Sequence, residues 1–183
     1  MIALVDESIG VAGDGFYVVA MVLIATEQRD IVRRRVRHVM PSANQRFHFH
    51  RESAATKLGM LGLLGEVAAH AVAYRITPAP TRHQNEARDR CLNAMAADLG
   101  GVTELLLESR DAMNDVRDRR VIAGAVRRGL IAPGVEYGHR RPREEPLLWL
   151  ADALAGAVLA DGRHQRRFFQ ALPDGCATIH ENP

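Results

Sequence analysis

The chain has two cysteines, one lysine and no apolar run long enough to cross a membrane as a helix. Cys91 and Cys176 fit neither a CxxC spacing nor a disulfide framework, which predicts a reducing compartment. The opening residues lack the basic stretch and apolar stretch of a secretory signal. The longest apolar run, residues 15–25, is shorter than the roughly 20 residues a spanning helix needs. These absences predict a cytoplasmic protein. Low-complexity tracts, repeats and linkers are also missing, so one domain over residues 1–183 is expected. The balance of 47% hydrophobic and 25% charged residues suits a packed globular core.

Net charge is only +2, too little to name a partner by bulk electrostatics. Its distribution is more informative. Of 24 basic residues only Lys57 is lysine. Arginines cluster at 33–37, at 117–128 and at Arg140, Arg141 and Arg143. The planar guanidinium suits phosphate recognition. A compositional bias that also enriches alanine and glycine would produce the same pattern.

Periodicity gives an alternating order of elements. Residues 2–6 read as a buried strand and 7–14 as a turn, with residues 15–25 forming a second strand paired to the first as a hairpin. Thr26 is placed to cap a helix reaching Met40, with Pro41 beyond its end. Residues 46–50 alternate Phe47 and Phe49 with histidines, a strand pattern. A helix over 53–69 puts Leu58, Leu61, Leu64 and Val67 on one face. Strands are expected at 70–76, 102–107 and 135–137, and helices at 81–98, 111–128 and 145–160, the last with Pro146 in its first turn. The tail adds a helix near 165–171 and a strand at 177–180. A mixed sheet covered by helices follows.

Four acids stand where such a fold would expose chemistry. Asp6 ends the first strand. Glu52 follows the histidine segment at a helix start, where the helix dipole alone would favour an acid. Glu108 follows Leu105, Leu106 and Leu107, and a loop pairing with Arg110 is its ordinary explanation. Asp152 lies within Leu147-Leu148-Trp149-Leu150-Ala151-Asp152-Ala153-Leu154-Ala155-Gly156, a helix apolar nearly all round. A carboxylate there needs a cation or a hydrogen-bond network. The neighbouring small residues would let this helix approach the sheet closely. His48 and His50 fall on one side of their segment, as metal ligands, basic contacts or a proton donor beside Glu52.

Two segments carry a resemblance. Asp6-Glu7-Ser8, followed by a turn and the apolar strand from Phe16 to Ile24, resembles the family called domain of unknown function 3800. The late helix with Leu150-Ala151-Asp152 and its small-residue run is similar to that family's other hallmark. The chain departs from the pattern at His48-Phe49-His50-Arg51-Glu52-Ser53 and at Glu108. The resemblance implies an α/β fold of ribonuclease H-like kind, a mixed β-sheet flanked by helices. It also implies that Asp6, Glu52, Glu108 and Asp152 are catalytic and hold Mg or Mn, hard cations that prefer oxygen donors. Two such ions about 4 Å apart would drive phosphodiester hydrolysis. The implied partner is nucleic acid, DNA or RNA, held through Arg110, Arg140 and Arg141. The alternative is a catalytically silent module of the same fold that binds nucleic acid or a partner protein.

Overall fold

The computed structural model describes residues 1–10, 15–40, 46–163 and 165–183. Its centre is one six-stranded sheet. The strands are β1 (Ile2–Ile9), β2 (Tyr17–Ile24), β3 (His70–Ile76), β4 (Glu104–Glu108), β5 (Glu136–Arg140) and β6 (Ala177–Glu181), in the order β5-β4-β1-β2-β3-β6. β2 runs antiparallel to both β1 and β3, whereas β1–β4, β4–β5 and β3–β6 are parallel pairs.

Five α-helices cover the sheet: α1 (Arg29–Val39), α2 (Ala54–Val67), α3 (Gln84–Met95), α4 (Ala112–Arg127) and α5 (Leu148–Gly162). Side chains alternate along a strand, so each strand feeds two cores. Ile2 and Leu4 of β1 face one core with α1, α2 and α5. Ala3 and Val5 face the other with residues of α3 and α4. Being covered on both faces is why β2 reads as an unbroken apolar run and is buried throughout. α5 lies deepest, with Leu148 to Ala160 all buried.

The hairpin and the later strands lie where the sequence places them, with Ile2 opposite Ile24 and Ile9 opposite Tyr17. Several local expectations are corrected. β1 continues to Ile9 rather than turning at Glu7; Gly13, Asp14 and Pro41 lie outside the described residues. The Thr26 side chain caps nothing, and a short 3-10 turn, Thr26–Gln28, precedes α1. Residues 46–50 are not a strand: an extended His48 leads into a 3-10 turn, Phe49–Arg51. Their alternation survives as burial, with Phe47 and Phe49 inside. Leu58 is 42% exposed, because α2 buries Met60, Leu61, Leu63, Leu64 and Val67 instead. α5 starts at Leu148, beyond Glu145 and Pro146. The tail segment is a 3-10 turn, Phe169–Ala171.

Candidate active site

Strand register builds the site. β1 and β4 are parallel, with Leu4 beside Leu106 and Val5 beside Leu107. Continuing by one residue sets Asp6 beside Glu108, and the period of two points both at the face carrying α5. Asp152 comes down from α5 onto the same place. Asp6 and Asp152 are 7% and 5% exposed. The three carboxylates thus meet at the carboxyl ends of two adjacent parallel strands, where open α/β sheets place ligands.

Burial, then the charges of Asp152 and Glu108, hold the Asp6 carboxyl well above the usual range. Burial also raises Glu108, outweighing its hydrogen bond with Asp6 and the pull of Arg46. Among the described residues these carboxylates have few partners. The Glu7 amide donates to Asp6 Oδ1 at 2.7 Å. The Phe49 amide donates to Asp152 Oδ2 at 3.3 Å, and His48 Nδ1 lies 3.4 Å from the same oxygen. Arg46 pairs with Glu108. Crowded, buried carboxylates with so little compensation suit protons or a cation. Their all-oxygen donor set fits a hard divalent ion.

The helix that carries Asp152 shapes its surroundings. Gly156 sits one turn further along the same face, and a Cβ there would run into the Phe49 ring, lying 2.6 Å from the Phe49 Cβ. The missing side chain therefore seats Phe49, and seating Phe49 brings its amide to Asp152. Gly156 faces this aromatic turn, not the sheet. His50, on the same turn, has Nε2 3.0 Å from Ser8 Oγ, tying it to β1.

Glu52 stands apart. It precedes Ser53, the N-cap of α2, instead of lying in the helix, and among the described residues it has no hydrogen-bond or ion-pair partner. It lines a cleft of about 940 Å³ together with Arg46, His48, Arg51, Arg110, Arg141 and Arg143. Arg141 and Arg143 are exposed. Arg140 is exposed and donates to the His139 carbonyl at 2.9 Å. Arg110 does not pair with Glu108; its guanidinium reaches Asp118 at 3.2 Å and Glu7 at 3.7 Å.

On the opposite face lies a second polar cluster. Glu7 points there, away from Asp6, because adjacent strand residues face opposite sides. Arg88 of α3, 1% exposed, pairs with Glu7 and bonds Asp118 of α4 at 2.8 and 2.9 Å. His139 Nε2 lies 3.1 Å from Asp118, and the Ser109 hydroxyl donates to Asp115 at 2.8 Å. Asp115, Asp118 and His139 offer ligand atoms within 4.8 Å of one another. Arg88 and Arg110, however, already set two positive charges against Glu7, Asp115 and Asp118. Burial alone would raise Asp118; hydrogen bonds from His139 and Arg88 overcome it and bring the carboxyl down to about 2. The cluster latches β1, β5, α3, α4 and the Ser109–Arg110 segment that follows β4 together beneath the acidic site. The sequence reading missed it, although Arg88 shares the buried stripe of Cys91, Leu92 and Met95, a placement that demands a partner.

The sheet order and its flanking helices have the ribonuclease H-like arrangement. No family model matches the chain, and no curated protein sequence does. Solved structures do. Ribonuclease HII of Archaeoglobus fulgidus, determined in complex with PCNA, superposes with a TM-score of 0.62 at 18% identity, over 96% of this chain and 78% of that one. Ribonuclease H2 of Pyrococcus horikoshii gives 0.58 at 12% identity, over 97% and 80%. At such identities the likeness establishes the fold. No helix among the described residues is long and apolar enough to cross a membrane.

Proposed function

We propose that the protein is a metal-dependent nuclease that hydrolyses phosphodiesters, a cytoplasmic, single-domain relative of the domain of unknown function 3800 family. The observation that carries this reading is the convergence of Asp6, Glu108 and Asp152 from three separate elements. Asp6 and Asp152 would hold Mg²⁺ or Mn²⁺, with Glu108 and Glu52 completing the set. The ion, when bound, supplies Lewis-acid activation of water and of the phosphoryl oxygens. The chain's own residues do the rest. The Phe49 amide fixes one oxygen of Asp152, leaving the other for a ligand. Arg46, paired with Glu108, would hold that carboxylate toward an attacking water. Glu52, unpartnered on the cleft wall, is free to turn toward the ion. Arg110, Arg140 and Arg141 lie along the path of a phosphate backbone, with Arg110 the most constrained by its bond to Asp118.

The test is cleavage of labelled single-stranded, duplex and hybrid oligonucleotides by purified protein in Mn²⁺. Activity is expected with at least one of them, and Asp6→Asn is expected to abolish it without loss of fold. Failure on all substrates, with Asp6→Asn indistinguishable from the native protein, sinks the proposal. A non-catalytic nucleic-acid-binding module is the second reading, favoured by the absence, among the described residues, of any bond tying Glu52 to the other acids. It predicts oligonucleotide binding that calorimetry finds unchanged by Mg²⁺.

A further inference from the structure

Away from the arginine-lined cleft, α4 and the edge strand β5 enclose a groove of about 510 Å³ whose wall is almost wholly apolar: Ile122, Val126, Ile131, Val135 and Tyr137. Two further features bear on what it takes. The first is the open edge of the sheet. The Glu136 amide donates to the Thr103 carbonyl, and the Arg140 carbonyl accepts from the Ser109 amide. Residues 136, 138 and 140 therefore turn their backbone groups inward to β4. Tyr137 and His139 turn theirs outward, where β5 has no neighbouring strand among the described residues. The His139 carbonyl is covered by Arg140, whereas the Tyr137 amide and carbonyl have no such partner among the described residues, and Tyr137 itself lines the groove.

The second feature is a row along α4. Arg119, Ala123 and Arg127 follow at intervals of four residues, so they lie on one face, all exposed and all lining the groove. Neither arginine has a hydrogen-bond or ion-pair partner among the described residues, unlike Arg117, which holds Asp89 at 2.6 Å. The row thus presents a cation, a gap and a cation. At 1.5 Å per residue the two arginines are set about 12 Å apart along the helix. In an extended strand, residues four apart span about 13 Å and share a face.

We infer that this surface binds an extended segment of a partner protein in which an apolar residue is flanked, two positions away on each side, by acidic residues. The segment adds as a strand beside Tyr137, drops its apolar side chain into the groove over Ala123 and sets its acids against Arg119 and Arg127. A second copy of this chain is a poorer occupant, because it would bring two arginine rows together. A nucleic acid is poorer too, because the floor between the arginines is apolar.

The test uses the full chain and a fluorescein-labelled seven-residue peptide, aspartate at its second and sixth positions and leucine at its fourth, read by fluorescence anisotropy. Saturable binding is expected. Ala123→Tyr, which fills the gap at an exposed helix position, should weaken it at least tenfold with circular dichroism unchanged. The double variant Arg119→Glu, Arg127→Glu should lose the aspartate peptide and gain the matching lysine peptide. Absence of binding, binding indifferent to Ala123→Tyr, equal competition by a same-length oligonucleotide, or a dimer in sedimentation that Ala123→Tyr dissociates would each overturn the inference. Nuclease activity is not a readout here, so failure leaves the proposed active site untouched.

Discussion

At the scale of single residues, the fold separates two neighbours that the sequence sets side by side. Asp6 and Glu7 face opposite cores, and their fates differ. Glu7 meets Arg88 and joins an arginine-paired network, while Asp6 meets two other acids. The network should show in acid titration. Asp118 has its carboxyl lowered to about 2 in the folded protein, against about 3.9 for an unfolded aspartate. Its contribution, about 3 kcal/mol by linkage, is fully present only well above the unfolded value, from about pH 5, and is lost as pH falls through 2. Urea unfolding across that range should show the loss. Asp118→Asn should cost about 3 kcal/mol at pH 7, since it leaves the buried Arg88 with Glu7 as its remaining carboxylate partner, and distinctly less at pH 2.5.

Asp6 and Asp152 were legible in the sequence because each lies where a carboxylate is out of place: at the end of a buried strand and inside a buried helix. Glu108 was legible as a strand-end acid, though its partner is Arg46 and not Arg110. The Arg88–Asp118 pair was not, because the two residues are 30 apart in sequence and only the packing of α3 on α4 brings them together.

At the scale of elements, α5 and the Phe49 turn form one device. The sequence showed α5 as a small-residue helix fit for close approach, which holds, but it could not show that the close approach at Gly156 is to Phe49. That contact depends on a turn whose alternating pattern looked like a strand. Two glycines make the point testable. Gly156→Ala gains about 1 kcal/mol of helix propensity, yet must displace the Phe49 ring, and overpacking costs roughly 1–3 kcal/mol. A net loss of stability is expected, with weaker Mn²⁺ binding as the Phe49 amide leaves Asp152. Gly62→Ala in α2 has nothing within 4 Å of its new Cβ. It should stabilise by about 0.5–1 kcal/mol and leave Mn²⁺ binding unchanged. Chemical denaturation and calorimetry on both variants read the contrast.

At the scale of the whole molecule, the sheet divides labour between its faces. One carries the buried acids and the cleft; the other carries the latch and, farther along α4, the groove. The overall order of strands and helices was readable from periodicity, since each element is long enough to show its period. Sheet order was not readable, because no local pattern specifies which strands pair across a crossover. The arginine bias has a consequence here as well. With Asp6→Asn protein, nucleic-acid affinity should fall with salt, and Arg141→Ala and Arg143→Ala should each lower the slope of log K against log salt by about one. Slopes unchanged by either variant would remove the cleft arginines from the phosphate path.

The central claim is a cation site made by Asp6 and Asp152 with Glu108. Crystals soaked in Mn²⁺ and measured for anomalous scattering test it most directly. A peak between Asp6 and Asp152 is the predicted result. A fully soaked crystal with no peak there, or with manganese only at Asp115, Asp118 and His139, would contradict it.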